Sequence, residues 1–86
     1  PNPLAGGSTK ISFLLPKTSM VEVKIYNIRG QLVKDLYKGV ANTDDEVSIP
    51  WDGRDETGTL QSTGIYLYQL TINGKLYEIK RLIVIR

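Results

Sequence analysis

The stretch Val21-Glu22-Val23-Lys24-Ile25-Tyr26-Asn27-Ile28-Arg29-Gly30 alternates before it turns. Val21, Val23 and Ile25 make one apolar face, and Glu22, Lys24 and Tyr26 the other. Period two over six residues is the signature of a half-buried strand. Asn27 to Gly30 then reads as a hairpin turn, because glycine takes a positive φ at little cost and asparagine tolerates one. The return strand is expected over Gln31 to Leu36, carrying Leu32, Val33 and Leu36.

The same period extends outward in both directions. Upstream, Ile11, Phe13 and Leu15 share a face, with Ser12 and Leu14 between them. Pro16 ends that segment, since it cannot donate to a ladder. Pro1 to Ser8 is rich in Gly and Pro and reads as a linker or lead-in to the first strand, with one domain over residues 9–86. Downstream, Gly39 to Asp45 is a polar connection. Val47, Ile49 and Trp51 form a short strand, expected at an edge because Pro50 lacks an N–H. Asp52 to Thr63, with Gly53 and Gly58, is a loop. Gly64 to Ile72 is a long strand with Tyr66, Tyr68, Leu70 and Ile72 on one face. Asn73-Gly74 fits a type I′ turn, which needs positive φ at both central residues. The last strand is Leu76 to Ile85, apolar on both faces from Leu82 onward.

No segment has a helical period, and there is no internal repeat or low-complexity tract. The pattern predicts an all-β chain, an antiparallel β-sandwich of about seven strands. The expected core is Ile11, Phe13, Leu15, Val21, Val23, Ile25, Val33, Val47, Ile49, Trp51, Tyr66, Tyr68, Leu70, Ile79 and Ile83.

Composition limits the chemistry. Eighty-six residues make at most one domain, 41% hydrophobic and 23% charged. A domain of this size buries about 60–65% of its unfolded surface, so its stability is modest. Eleven basic residues against nine acidic ones give a net charge of +2, too balanced to argue for nucleic acid. The chain has no Cys and no His, which removes disulfides, most zinc sites and imidazole general bases. No apolar run reaches the roughly 20 residues of a membrane helix, so no membrane insertion is expected. The chain begins at Pro1 without Met and reads as an excised or processed fragment.

Four features could carry function. Trp51, the sole Trp, is either core or a sugar-stacking platform. The acidic residues Asp44, Asp45, Glu46, Asp52, Asp55 and Glu56 could bind Ca²⁺, with Asp52 and Asp55 the weak candidates. Their register is not that of an EF-hand loop, and Arg54 lies among them. The plainer reading of Asp52 and Asp55 is turn chemistry. Asp44/Asp45 and Asp52/Asp55 could also be put forward as paired carboxylates, but nothing fixes a catalytic spacing or supplies a cleft. No catalytic residue, cofactor or metal is expected. Lastly, Lys75, Lys80, Arg81 and Arg86 make the final strands basic. They either guard an aggregation-prone Leu-Ile-Val-Ile run or form a recognition strand.

Taken in order, Pro1-Asn2-Pro3, Thr9 to Phe13, Val23 to Val33, Trp51-Asp52-Gly53-Arg54-Asp55 to Gly58, Gly64-Ile65-Tyr66 and Lys80 to Arg86 resemble a known family. The chain is similar to the type A C-terminal sorting domain of type IX secretion cargo, and to the related FlgD-like Ig domain. The resemblance covers nearly the whole chain and implies a small immunoglobulin-like sandwich without catalytic activity. It implies a secreted or cell-surface location, reached through the periplasm and outer membrane. The implied partners are an outer-membrane protein of the secretion machinery and the upstream domains of a parent protein. Recognition would fall on Lys80, Arg81, Leu82, Ile83, Val84, Ile85 and Arg86. Gly30, Asp52, Gly53, Gly64, Asn73 and Gly74 would hold the turns that support that strand, and the edge strands leave room for self-association. Two rivals remain at this point. One is a carbohydrate-binding module using exposed aromatics such as Tyr37 and Tyr77; the other is a structural Ig module of a flagellar or other surface assembly.

Overall fold

The structure, a computed structural model, describes residues 3–5, 9–15, 17–41 and 47–85. Its strands are β1 (Pro3–Ala5), β2 (Thr9–Phe13), β3 (Ser19–Asn27), β4 (Leu32–Ala41), β5 (Val47–Trp51), β6 (Gly64–Ile72) and β7 (Lys75–Ile85). Six of them form antiparallel pairs. The short β1 adds in parallel beside β7. The larger sheet runs β1-β7-β6-β3-β4, and β2 pairs with β5 in the smaller one. As Pro50 requires, β5 pairs on one side only, with β2.

The two sheets close over one apolar cluster. β3 contributes Val21, Val23 and Ile25, and β6 contributes Tyr66, Tyr68 and Leu70. From the small sheet come Ile11, Phe13, Ile49 and Trp51. Alternation dictates this: β3 buries every second residue from Ser19 to Ile25, and β6 does so from Tyr66 to Leu70. Ser19, buried among them, donates its hydroxyl to the Lys17 carbonyl at 2.8 Å, so its polarity is satisfied.

Two turns depend on positive φ. At the β3–β4 hairpin Gly30 has φ 81°, and its N–H donates to the Asn27 carbonyl at 3.0 Å. Asn27 Oδ1 accepts the N–H groups of Arg29 and Gln31, which fixes the turn from its first residue. At the β6–β7 hairpin Asn73 and Gly74 have φ 50° and 82°, as a type I′ turn requires. Asn73 does more than turn the chain. Its N–H donates to the Met20 carbonyl at 2.8 Å, and its Oδ1 accepts the Met20 N–H at 2.9 Å. That pair pins the hairpin to the start of β3.

Three sequence expectations need correction. β4 continues to Ala41, well past Leu36, because β3 pairs with it as far as Ser19; Gly39 sits inside the ladder opposite Val21. Val47 is only half-buried. Most consequentially, the phase of β7 is the reverse of the expected one: Leu82 and Val84 are buried, whereas Ile79 and Ile83 are exposed. A register shift between Leu70 and Thr71 leaves Tyr77 unpaired, with Leu70 opposite Glu78 and Thr71 opposite Leu76. Beyond that bulge the even-numbered residues face the core.

Candidate functional site

β7 holds most of the residues singled out for recognition, and the structure divides them. Lys80 lies opposite the buried Tyr68, on the core side of the sheet, and its Nζ is 3.4 Å from Glu78 Oε2. Arg81 lies opposite Leu67 on the outer face, with no carboxylate within ion-pair reach among the described residues. Adjacent residues of a strand point to opposite faces. A partner resting flat on either face would therefore meet one of these cations and not the other. Leu82 and Val84 belong to the core; Ile83 and Ile85 are exposed on the outer face beside Ile65. Arg86 lies outside the described residues.

Glu78, the one acid among the basic residues of β7, is the anchor of this region. The Tyr68 hydroxyl donates to Glu78 Oε1 at 2.8 Å. Burial first, then the bond to Glu78 and its charge, hold the Tyr68 phenol far above its usual range. It therefore stays a donor throughout physiological pH. Parity could have flagged the pair, since both residues fall on the core side once the bulge is placed.

Most of the turn positions expected to support β7 are explained by what they bond. Gly53 has φ 79° and its carbonyl accepts the Gln61 N–H at 2.8 Å. Asp52 Oδ1 accepts the Arg54 N–H at 3.1 Å. Gly64 differs: it opens β6 in ordinary backbone, and a Cβ there would meet nothing within 4 Å, so no turn requires glycine at that point. Gly58, not singled out, does have a positive φ of 84°.

The weak calcium candidates are engaged within the loop. Asp55 Oδ1 accepts from Thr57 N at 2.9 Å, Thr57 Oγ1 at 2.7 Å and Thr59 N at 2.9 Å. These bonds, led by the Thr57 hydroxyl, hold the Asp55 carboxyl below its ordinary value of 3.8. A depressed folded pKa means the stabilisation is present above the unfolded pKa and is lost as pH falls through the folded one. The expected result is that the Thr57 and Thr59 amides keep their protection, measured against the free-chain exchange rate at the same pH, until the pH falls below the ordinary carboxylate range, and that Asp55→Ala removes it at neutral pH. Two-dimensional NMR during an acid titration checks both. Asp44, Asp45 and Glu46 lie outside the described residues.

The same loop caps the start of β4, at the far edge of the large sheet. Glu56 donates its N–H to the Val33 carbonyl at 3.3 Å, and its Oε1 accepts the Asp35 N–H at 2.7 Å. One residue thus occupies two ladder groups near the start of β4, as a neighbouring strand would. The loop is anchored from beneath by Trp51, which is 1% exposed and donates Nε1–H to the Arg54 carbonyl at 3.0 Å. Its ring meets Tyr66 edge-on, centroids 5.7 Å apart. The Tyr66 hydroxyl donates to the Ser62 carbonyl four residues upstream at 2.7 Å, much as in the tyrosine corner of immunoglobulin-type sandwiches. A buried Trp51 offers no stacking platform. Tyr37 and Tyr77 stand on β4 and β7, with β3 and β6 between those strands.

These features define an immunoglobulin-like sandwich in which the loop after β5 braces the start of β4 and, among the described residues, β7 has β6 on one side and only the short β1 on the other. The chain belongs to the FlgD Ig-like domain family, whose pattern matches residues 2–75. No curated protein matches the chain. Among solved structures it is similar to dimeric latent PorU from Porphyromonas gingivalis, with 26% identity and a TM-score of 0.77 over 99% of this chain and 9% of that one. It is also similar to FlgD from P. aeruginosa, with 30% identity and a TM-score of 0.60 over 86% of this chain and 58% of that one. A third is PorZ, an essential surface component of the type IX secretion system of P. gingivalis, with 26% identity and a TM-score of 0.61 over 100% of this chain and 11% of that one. The chain therefore spans only a part of each of these proteins.

Proposed function

We propose that this domain is a non-catalytic sorting and surface-attachment module of a secreted bacterial protein, read by an outer-membrane component of type IX secretion. The observation that carries the reading is the reach of the similarities. The family pattern stops at Lys75, where β7 begins, whereas the likenesses to PorU and PorZ extend over 99% and 100% of the chain. What the chain shares with a type IX surface component therefore includes the strand that carries Lys80 and Arg81. The split of those two cations between faces favours a reader that approaches the strand edge, where it meets both.

The test is export of a periplasm-targeted fluorescent protein fused to residues 1–86, in a bacterium with type IX secretion. Ending the fusion at Ile79 would remove Leu82 and Val84 from the core and so test folding instead of address. Lys80→Ala with Arg81→Ala leaves the buried face intact. The fusion should reach the surface or medium, and the double variant should be exported about tenfold less, the equivalent of losing 1.4 kcal/mol of recognition. Normal export of the folded double variant overturns the assignment to these residues. If the unaltered fusion is also retained, the sorting reading falls. The likeness to FlgD then favours a structural Ig module of a surface assembly.

A further inference from the structure

β1 covers only Ile83 to Ile85 of β7, so among the described residues the stretch from Lys75 to Leu82 has β6 on one side and no strand on the other. On the opposite edge of the sheet Glu56 caps two groups near the start of β4, at Val33 and Asp35. An uncovered run of ladder groups is a template for another strand. The order of side chains along it points to which one.

We infer that this edge pairs with the same edge of a second copy, antiparallel, with Ile79 facing Ile79 across a two-fold axis. In such an interface, if one residue faces another, the second faces the first. Directly opposite residues in an antiparallel pair share a face, and an axis perpendicular to the sheet keeps inner face with inner face. Only registers that bring a residue opposite itself satisfy both conditions. Three of them fit the open stretch, centred on 78, 79 or 80.

Charge chooses among the three. Centring on Glu78 sets two carboxylates face to face. Centring on Lys80 opposes two ammonium groups. Centring on Ile79 places each Glu78 opposite the other copy's Lys80 on the inner face, twice by symmetry, with the two Ile79 side chains in contact on the outer face. Glu78 and Lys80 are already 3.4 Å apart within one chain, so the second copy completes a four-charge ring. Ile79, 53% exposed, gains an apolar neighbour. The bulge at Tyr77 and the start of β1 at Ile83 bound the ladder, which is short, and the association is correspondingly weak. This inference does not depend on the sorting reading, because the pairing needs no secretion machinery.

The chain has no cysteine, so single cysteines report the register without background. Under mild oxidation Ile79→Cys should give a disulfide-linked dimer. Glu78→Cys and Lys80→Cys should not, because their partners then lie beyond the roughly 7 Å Cα separation a disulfide spans. Sedimentation of the unaltered domain up to about 1 mM should show a dimer that Lys80→Glu weakens at least tenfold. Mixing K80E with E78K should restore association, since each variant fails alone and the two complement each other. The E78K change also removes the Tyr68 bond. If that variant does not fold, the cysteine series and K80E decide the matter. Stronger cross-linking at 78 or 80 than at 79, or an unchanged K80E dimer, overturns the register. A strict monomer at 1 mM overturns the pairing itself and leaves the edge to a strand from a different protein.

Discussion

Trp51→Ala is expected to leave the domain largely unfolded at room temperature. Trp51 is among the largest fully buried side chains, and truncating a buried Phe or Trp costs about 3–5 kcal/mol. The change also removes the edge-on contact with Tyr66 and the donor to the Arg54 carbonyl. That carbonyl belongs to the loop whose Glu56 caps β4, so the damage reaches the sheet edge as well as the core. Small domains sit toward the low end of the usual 5–15 kcal/mol, which such a loss nearly exhausts. Trp51→Phe keeps most of the packing and forfeits the hydrogen bond, so it should cost markedly less. Urea titrations followed by far-ultraviolet circular dichroism check this, since removing the sole Trp also removes the fluorescence signal. An alanine variant that unfolds within about 1 kcal/mol of the unaltered chain would show that the indole is not the keystone its burial implies.

The second large effect is a contrast between neighbours. Leu82→Ala should destabilise by about 2–5 kcal/mol, as expected for a leucine removed from a packed core. Ile83→Ala should cost under about 1 kcal/mol, because it loses chiefly its cross-strand contact with Ile65 on the outer face. The two residues are adjacent, similar in size and chemistry, and differ in burial: 1% against 44% exposed. Equal costs, or the reverse order, would mean that β7 has the opposite phase. The comparison also bears on any use of β7 as a signal, since Leu82 and Val84 cannot serve a partner and the core at once.

What could be read from the chain follows how strongly each segment alternates. β3 and β6 have one apolar and one mixed face, so their buried residues are legible by parity alone. β5 is legible in the same way, and Pro50 marks its edge position. β7 is not. Its Leu82-Ile83-Val84-Ile85 run is apolar at every position and carries no phase, and the bulge at Tyr77 reverses whatever phase is counted from Asn73-Gly74. β4 is longer than its local sequence suggests, because Gly39 looks like a break when read locally although the pairing with Val21 carries the strand through it. The cap on β4 is hidden for another reason: Glu56 and Asp35 are 21 residues apart, and nothing local announces their contact. At the candidate site, the basic character of Lys80 and Arg81 is plain in the sequence, but neighbours on a strand face opposite ways, so the two do not form one patch.

The parallel pairing of β1 with β7 gives the domain a mechanical character. Pro3 lies opposite Ile83 and Ala5 opposite Ile85, so the two strands run side by side in the same direction. A pull on the backbone ahead of Pro3 and beyond Ile85 drags them past each other along their length. The hydrogen bonds between them are then loaded together in shear and do not open one after another. Tension carried through the domain thus meets a clasp before it reaches the hairpins, and the force needed to part that clasp governs how long the sandwich survives under load.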